Sequence, residues 1–268
     1  VYEVYSRVKA MSTTLAALHN INYTDTRLYK NGLLKEAVEN HICFIRNSSG
    51  RLDAVFKDIN TSIDLIMDQL KDDTEKFNLI AAKMFEVLEQ KSLFTAVEYL
   101  TKKLLEDQNC SCLNQDFERK MQKYAKMAEG STATDIHFGA ATYYPRGITA
   151  KKLSEVNSDY RLVIFAADWC LHCLEEVPKI GAYYPMLKEK NVEVILVSLD
   201  ENASDFAKFA APFPFITTTD YKKWGGQAAT NYQVYATPSY FLLDKDLKIV
   251  KRLNSMQHLK VVLDNSVK

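Results

Sequence analysis

Ile164-Phe165-Ala166-Ala167-Asp168-Trp169-Cys170-Leu171-His172-Cys173-Leu174-Glu175-Glu176-Val177-Pro178 is the stretch that decides the fold. Its front belongs to the continuous apolar run Leu162 to Ala166, the pattern of a strand buried on both faces. Its back predicts a helix, interrupted or bent near Pro178 and running to about Lys190. Two cysteines separated by two residues therefore fall at a helix start. There the unpaired backbone N–H groups and the helix dipole favour an anion on Cys170. Cys173 lies one turn deeper. Related C-x-x-C settings lower a thiol pKa to between roughly 3.5 and 7. The same spacing also serves half a zinc site or a structural disulfide. Zinc needs a second pair, and the one candidate is Cys110 with Cys112, far away in sequence, so no metal is expected.

Outward from this stretch the second half alternates strands and helices. Val192 to Val197 reads as a second buried strand and Asn202 to Ala211 as a helix with Phe206 on its inner face. Tyr240 to Leu243, a turn at Asp244-Lys245-Asp246 and Leu247 to Val250 read as a hairpin. A closing helix follows Ser255. Upstream, Thr134 to Phe138 and the region from Tyr143 to Ile148 read as short strands. The order β-α-β-α-β-β-α with a C-x-x-C at the first helix predicts an α/β thioredoxin-like domain, a central mixed sheet flanked by helices, over residues 129–268.

Residues 1–128 carry helical periodicity instead. Leu52, Val55, Phe56, Ile59, Ile63, Ile66 and Leu70 form one stripe spaced by threes and fours, and four or five shorter stripes accompany it. The last stripe, Phe117, Met121, Tyr124 and Ala128, is closed by Gly130, a residue suited to a helix C-terminus. No proline precedes Pro145. An all-α bundle of five or six helices is expected, its stripes packed as core.

The 268 residues hold 34 Lys+Arg and 34 Asp+Glu, and a formally neutral chain argues against nucleic acid as ligand. No apolar run approaches the roughly 18 residues of a membrane span. The chain opens Val1-Tyr2-Glu3. That start reads as a processed or shortened chain, with any targeting signal and any membrane or lipid anchor lying outside it. Five cysteines are too few for a disulfide scaffold, and the states of Cys43, Cys110 and Cys112 stay open.

The segment Ile164 to Pro178 resembles the active-site segment of bacterial thiol-disulfide oxidoreductases of the TlpA and ResA type. These are cell-envelope relatives of thioredoxin in the AhpC/TSA superfamily. Tyr235-Ala236-Thr237-Pro238 resembles their second landmark, a Thr-cis-Pro loop facing the cysteines. The resemblance covers about residues 130 to 268 and leaves the helical half unexplained. It implies a protein-disulfide oxidoreductase of the bacterial periplasm or cell envelope. Such an enzyme needs no cofactor beyond the redox-active Cys170–Cys173 disulfide. Its partners would be protein thiol or disulfide substrates and a further redox protein. Cys170 is then the attacking thiolate and Cys173 the resolving thiol. Glu176 stands six residues after the first cysteine, where this type carries a proton-accepting glutamate; Ile164 replaces thioredoxin's buried aspartate. Trp169, His172, Thr237 and Pro238 are the expected substrate-facing residues, whereas Asp168 and Glu175 are expected to be solvated. Leu171-His172 matches neither the Gly-Pro of thioredoxin nor the Pro-His of strong oxidases, so the redox direction stays open. Two rivals are a peroxiredoxin-like peroxidase, which lacks its P-x-x-x-T-x-x-C setting here, and a partner-binding module with a secondary redox pair.

Overall fold

A computed structural model describes residues 15–30, 32–48, 52–106, 113–145, 147–253 and 255–266. Cys110 and Cys112, and the apolar positions Val4, Val8 and Met11, lie outside them. The chain forms two compact units, residues 1–122 and 123–268.

The first unit is helical. After a helical turn at residues 15–19 and a 3-10 turn at Thr26–Tyr29 come α1 (Leu33–Ser48), α2 (Leu52–Gln69), α3 (Thr74–Gln90) and α4 (Phe94–Glu106). The helix α5 (Gln115–Ala125) begins here and runs into the second unit. The expected stripes are the buried faces: Ile59, Ile63, Ile66 and Leu70 on α2, and Phe77, Ile80, Met84 and Leu88 on α3. Capping fixes where α3 starts, since the Asp73 carboxylate accepts the Lys76 N–H at 3.1 Å. The last helix stops at Ala125, before Gly130, because residues 126–130 turn away. Gly130, at φ +83°, gives its N–H to the Ile249 carbonyl at 2.8 Å.

The second unit is built on a five-stranded sheet in the order β3-β2-β1-β4-β5. The strands are β1 (Tyr160–Ala166), β2 (Val192–Ser198), β3 (Ile216–Thr219), β4 (Ser239–Asp244) and β5 (Ile249–Leu253). β1 pairs parallel with β2 and antiparallel with β4. The remaining helices are α6 (Leu171–Glu189), α7 (Ala203–Ala210), α8 (Gln227–Asn231) and α9 (Met256–Ser266). The two-residue period of the strands sorts side chains into two layers. Leu162, Ile164, Ala166, Tyr240 and Leu242 pack with Cys173, Val177 and Ile180 of α6 and Leu259 of α9. Val163, Phe165, Ile195 and Phe241 pack on the other face with Ile136, Leu153 and Tyr232.

The segment before β1 differs from expectation. The described residues of 134–138 and 143–148 form isolated bridges instead of strands: His137 pairs with Lys152, and Tyr143 exchanges both backbone hydrogen bonds with Thr217 on the edge strand β3. Arg161, buried at 3% exposure, pins this segment by donating to the carbonyls of Leu153, Val156 and Asp244. The edge strand β3 and the short helix α8 carry no periodic signal and were not expected. Helix α6 continues unbroken through Pro178 and Pro185. The packing of Cys173, Val177, Ile180 and Leu187 on the sheet outweighs the backbone bonds the two prolines remove.

Candidate active site

β1 ends at Ala166 and the chain turns through Ala167-Asp168-Trp169 into α6. Cys170 is the N-cap residue of that helix, and its sulfur accepts the Cys173 N–H at 3.1 Å. A sulfur thus takes the place of a capping oxygen, so the orphan donors of the first turn point at the reactive atom. Cys170 and Cys173 form a disulfide with their Cα atoms 5.2 Å apart. Cys170 is half-buried, while Cys173 is fully buried against Ile164, Ala166 and Val177. Only the first sulfur faces solvent.

The loop before β4 approaches from the other side. Cys170 Sγ lies 3.5 Å from the Thr237 carbonyl oxygen, and the Thr237–Pro238 peptide bond is cis. Around the disulfide large apolar side chains stand in solvent: Leu171 at 80% exposure, Trp169 at 45%, and Leu174, Tyr235 and Trp224 beside them. Trp169 meets Trp224 edge to face at 5.8 Å, and the Lys223 ammonium sits 5.2 Å over the Trp169 ring. A cavity of about 380 Å³ behind Trp224 and Tyr235 is lined also by Lys123 and Gln233. A larger one, about 430 Å³, lies against Asp135, His137 and Tyr221 and contains neither cysteine.

Of the expected residues, Cys170, Cys173, Trp169, His172, Thr237 and Pro238 lie around this one helix start. His172 is exposed on the first turn. Glu176 lies one turn beyond Cys173 on α6, its side chain only 14% exposed, and is paired with Lys179 at 2.5 Å. Trp224-Gly225-Gly226 reads from the sequence as a turn approaching a helix that could also contribute to the substrate surface, and the contact with Trp169 brings Trp224 to the site.

Asp168 and Asp200 were missed as a pair. Asp200, at 1% exposure, accepts the Asp168 N–H at 3.0 Å and the Ser198 hydroxyl at 2.5 Å. Burial, then the neighbouring Asp168 carboxylate, raise its pKa to about 6, against the pull of those hydrogen bonds. Asp168 is therefore held by the fold rather than freely solvated. Among the described residues no cluster of three or more His, Cys, Asp or Glu offers a metal site. No described helix is long and apolar enough to cross a membrane.

Residues 138–252 match the AhpC/TSA family. Curated relatives agree. The thiol-disulfide oxidoreductase ResA of Bacillus thuringiensis subsp. konkukian is 32% identical over 93 residues, covering 35% of this chain and 53% of that protein. ResA of Bacillus subtilis is 28% identical over 104 residues, covering 37% and 55%. The C-terminal unit is TlpA/ResA-like and thioredoxin-folded. A solved thioredoxin-like protein from Bacteroides caccae superposes with a TM-score of 0.57 at 19% identity, covering 92% of this chain and 89% of its own. That likeness extends the shared fold into the helical region. The chain spans about half the length of the ResA proteins it matches.

Proposed function

We propose that this TlpA/ResA-like protein is a protein-disulfide oxidoreductase of the bacterial cell envelope that reduces or exchanges disulfides through Cys170 and Cys173. The observation that carries the proposal is the half-exposed Cys170 sulfur at a helix start with fully buried Cys173 behind it. In the dithiol form Cys170 attacks a substrate disulfide as thiolate. One substrate sulfur leaves, and a mixed disulfide forms on Cys170. Cys173 then gives up its proton and attacks Cys170 Sγ, which releases the second substrate thiolate and restores the disulfide found here. A buried thiol is a poor acid, because desolvation disfavours its thiolate. Glu176, one turn away and largely buried, is the base for that proton. Trp169, Leu171, Trp224 and Tyr235 form an apolar rim for a protein substrate, and His172 lies at its edge. The Thr237 carbonyl beside the sulfur offers backbone pairing to an extended substrate segment. Electrons come from a further thiol protein, with no bound cofactor. The helical segment, residues 1–128 as read from sequence, is on this proposal a separate domain that supplies none of the reacting groups.

Insulin reduction driven by dithiothreitol tests the activity. Turnover by the full chain, lost in Cys170→Ser, is the expected result, and no turnover by the full chain would sink it. Fractionation of the host cell tests the envelope location, with recovery in the cytosol as the contrary outcome.

A further inference from the structure

Tyr240 is a buried polar group with no task in the disulfide state. It stands on β4 directly opposite Ile164, the position six residues before Cys170. Its side chain is 2% exposed and packs in the same core layer as Cys173, Val177 and Ile164. Among the described residues its hydroxyl has no hydrogen-bond partner. Buried hydroxyls are rarely left so, because one without a partner loses its water and gains nothing. Phenylalanine would fill the same space without that cost. The Glu176 carboxylate is near enough to push the Tyr240 pKa up further, beyond the larger effect of burial. Tyr240 therefore lies in the core layer that α6 covers with Cys173, within electrostatic reach of Glu176.

We infer that the Tyr240 hydroxyl is held for the opened state of the site, where it donates a hydrogen bond to the Cys173 sulfur anion. The inference rests on the proposed dithiol chemistry and deepens it. When an external thiolate attacks Cys170, the Cys170–Cys173 bond breaks, a bond from the external sulfur to Cys170 forms, and the electron pair leaves on Cys173. That anion appears at a fully buried position, among aliphatic side chains. Ile164 on the neighbouring strand provides no polar group for it. The phenolic O–H of Tyr240 does, from the strand position facing Ile164, and Glu176 then exchanges the proton. A donor present only for the anion makes Cys173 a better leaving group and speeds opening of the disulfide.

Tyr240→Phe in the full chain tests this. The equilibrium between dithiol and disulfide is measured against reduced and oxidised glutathione, and the rate of disulfide opening against dithiothreitol. The variant is expected to open more slowly by about tenfold or more, the scale of one hydrogen bond to a charged group. The glutathione equilibrium, whose reduced form carries a neutral Cys173 thiol, should move far less, and the oxidised form should melt no lower than wild type. An unchanged opening rate would overturn the inference, leaving Tyr240 as packing. Should the variant fold poorly, the wild-type phenol carbon next to the hydroxyl, labelled with ¹³C, serves instead. Its NMR shift must change between disulfide and dithiol, and an identical shift in both overturns the proposal. Absence of insulin turnover by wild type counts against the activity itself, whereas turnover with an unchanged Tyr240→Phe opening rate counts against Tyr240 alone.

Discussion

Two buried polar groups, one in each unit, are treated in opposite ways. In the helical unit His41 sits in a chain of hydrogen bonds that satisfies both its nitrogens. Tyr23 Oη lies 3.1 Å from His41 Nδ1, and His41 Nε2 lies 3.0 Å from Ser62 Oγ. The Ser62 hydroxyl in turn donates to the Asp58 carbonyl at 3.0 Å. His19 Nε2 also lies 3.0 Å from Ser62 Oγ. With its own proton on the Asp58 carbonyl, Ser62 accepts from both imidazoles, and His41 Nδ1 then accepts from Tyr23, so one tautomer of a neutral His41 is fixed. In the thioredoxin-like unit the Tyr240 hydroxyl ends in the core without a partner, next to a sulfur that changes charge during reaction. A closed network stabilises one state, whereas an open one reserves a place for another.

On the proposed function all the chemistry lies in one unit, and the sharpest way to break that contrast is to remove the reacting atoms. Cys170→Ser is expected to abolish insulin turnover. Cys173→Ser should still attack but accumulate mixed disulfide on Cys170, because the resolving sulfur is gone. Alkylation of the reduced protein with a limiting electrophile, followed by peptide mapping, checks the order of the two thiols. Preferential labelling of Cys173 would reverse it. Next in size is Glu176→Gln, which should keep the fold and the first attack but slow release of the mixed disulfide by roughly 10²-fold. Stopped-flow Trp fluorescence separates the two steps, since Trp169 and Trp224 both border Cys170. Unchanged release across pH 6–9 would leave Glu176 as the ion-pair partner of Lys179 and nothing more.

What could be read from the sequence follows the range of the forces involved. The strand Tyr160–Ala166 and the helix start at Cys170 were legible because an apolar run and a spacing of three are local. The α2 and α3 stripes were legible for the same reason. β3 was not: Ile216-Thr217-Thr218-Thr219 is four residues long, and its burial comes from the segment around Tyr143, which bonds Thr217 from far away in sequence. The Asp168–Asp200 contact joins residues 32 apart, so neither neighbourhood announces it. Tyr240 looks like any aromatic in a strand; only the missing partner of its hydroxyl sets it apart. Pro178 reads as an interruption or bend, and the helix is not interrupted there, since a local rule about helix breaking yields to packing on the sheet.

Acid sharpens the comparison between the units. His41 in the helical network is held neutral, its pKa lowered to about 4 by burial and by the nearby His19. The unfolded chain binds this proton below the ordinary value of about 6.5, and the folded one only near 4. Stability is therefore lost as pH falls through that window, by up to about 3 kcal/mol. In the other unit His258 acts in the same direction, lowered to about 4 by burial and Lys251. Asp200 acts against it, because a carboxyl raised in the folded state takes up its proton first there and gains stability as pH falls from about 6. The helical unit should therefore unfold first on titration from pH 7 to 4. Far-UV circular dichroism follows the helices, and Trp fluorescence follows only the second unit, where both tryptophans lie. Coincident transitions would mean that the units melt as one and that His41 does not set the order.

The smallest expected effect belongs to Asp200, and it concerns the reactive sulfur rather than the fold. Asp200 holds the Asp168 backbone two residues before Cys170, so its charge sits close to the site without touching it. Above its raised pKa the buried carboxylate opposes a second negative charge on Cys170; below it that repulsion is gone. Alkylation of reduced Cys170 should thus depart from a single titration, with a second inflection near pH 6. In Asp200→Asn the side-chain oxygen can still accept the Asp168 N–H, so the loop is kept while the charge is lost. The second inflection should then vanish and the rate at neutral pH rise a few-fold, the scale of one screened charge in partly polar surroundings. Retention of the inflection in Asp200→Asn would assign it to another group near the dithiol. Loss of all reactivity would instead show that the carboxylate is needed to shape the loop. In the first outcome charge, and not geometry, is what Asp200 contributes, and a fold-buried acid 30 residues from the motif tunes the pH at which its leading cysteine attacks.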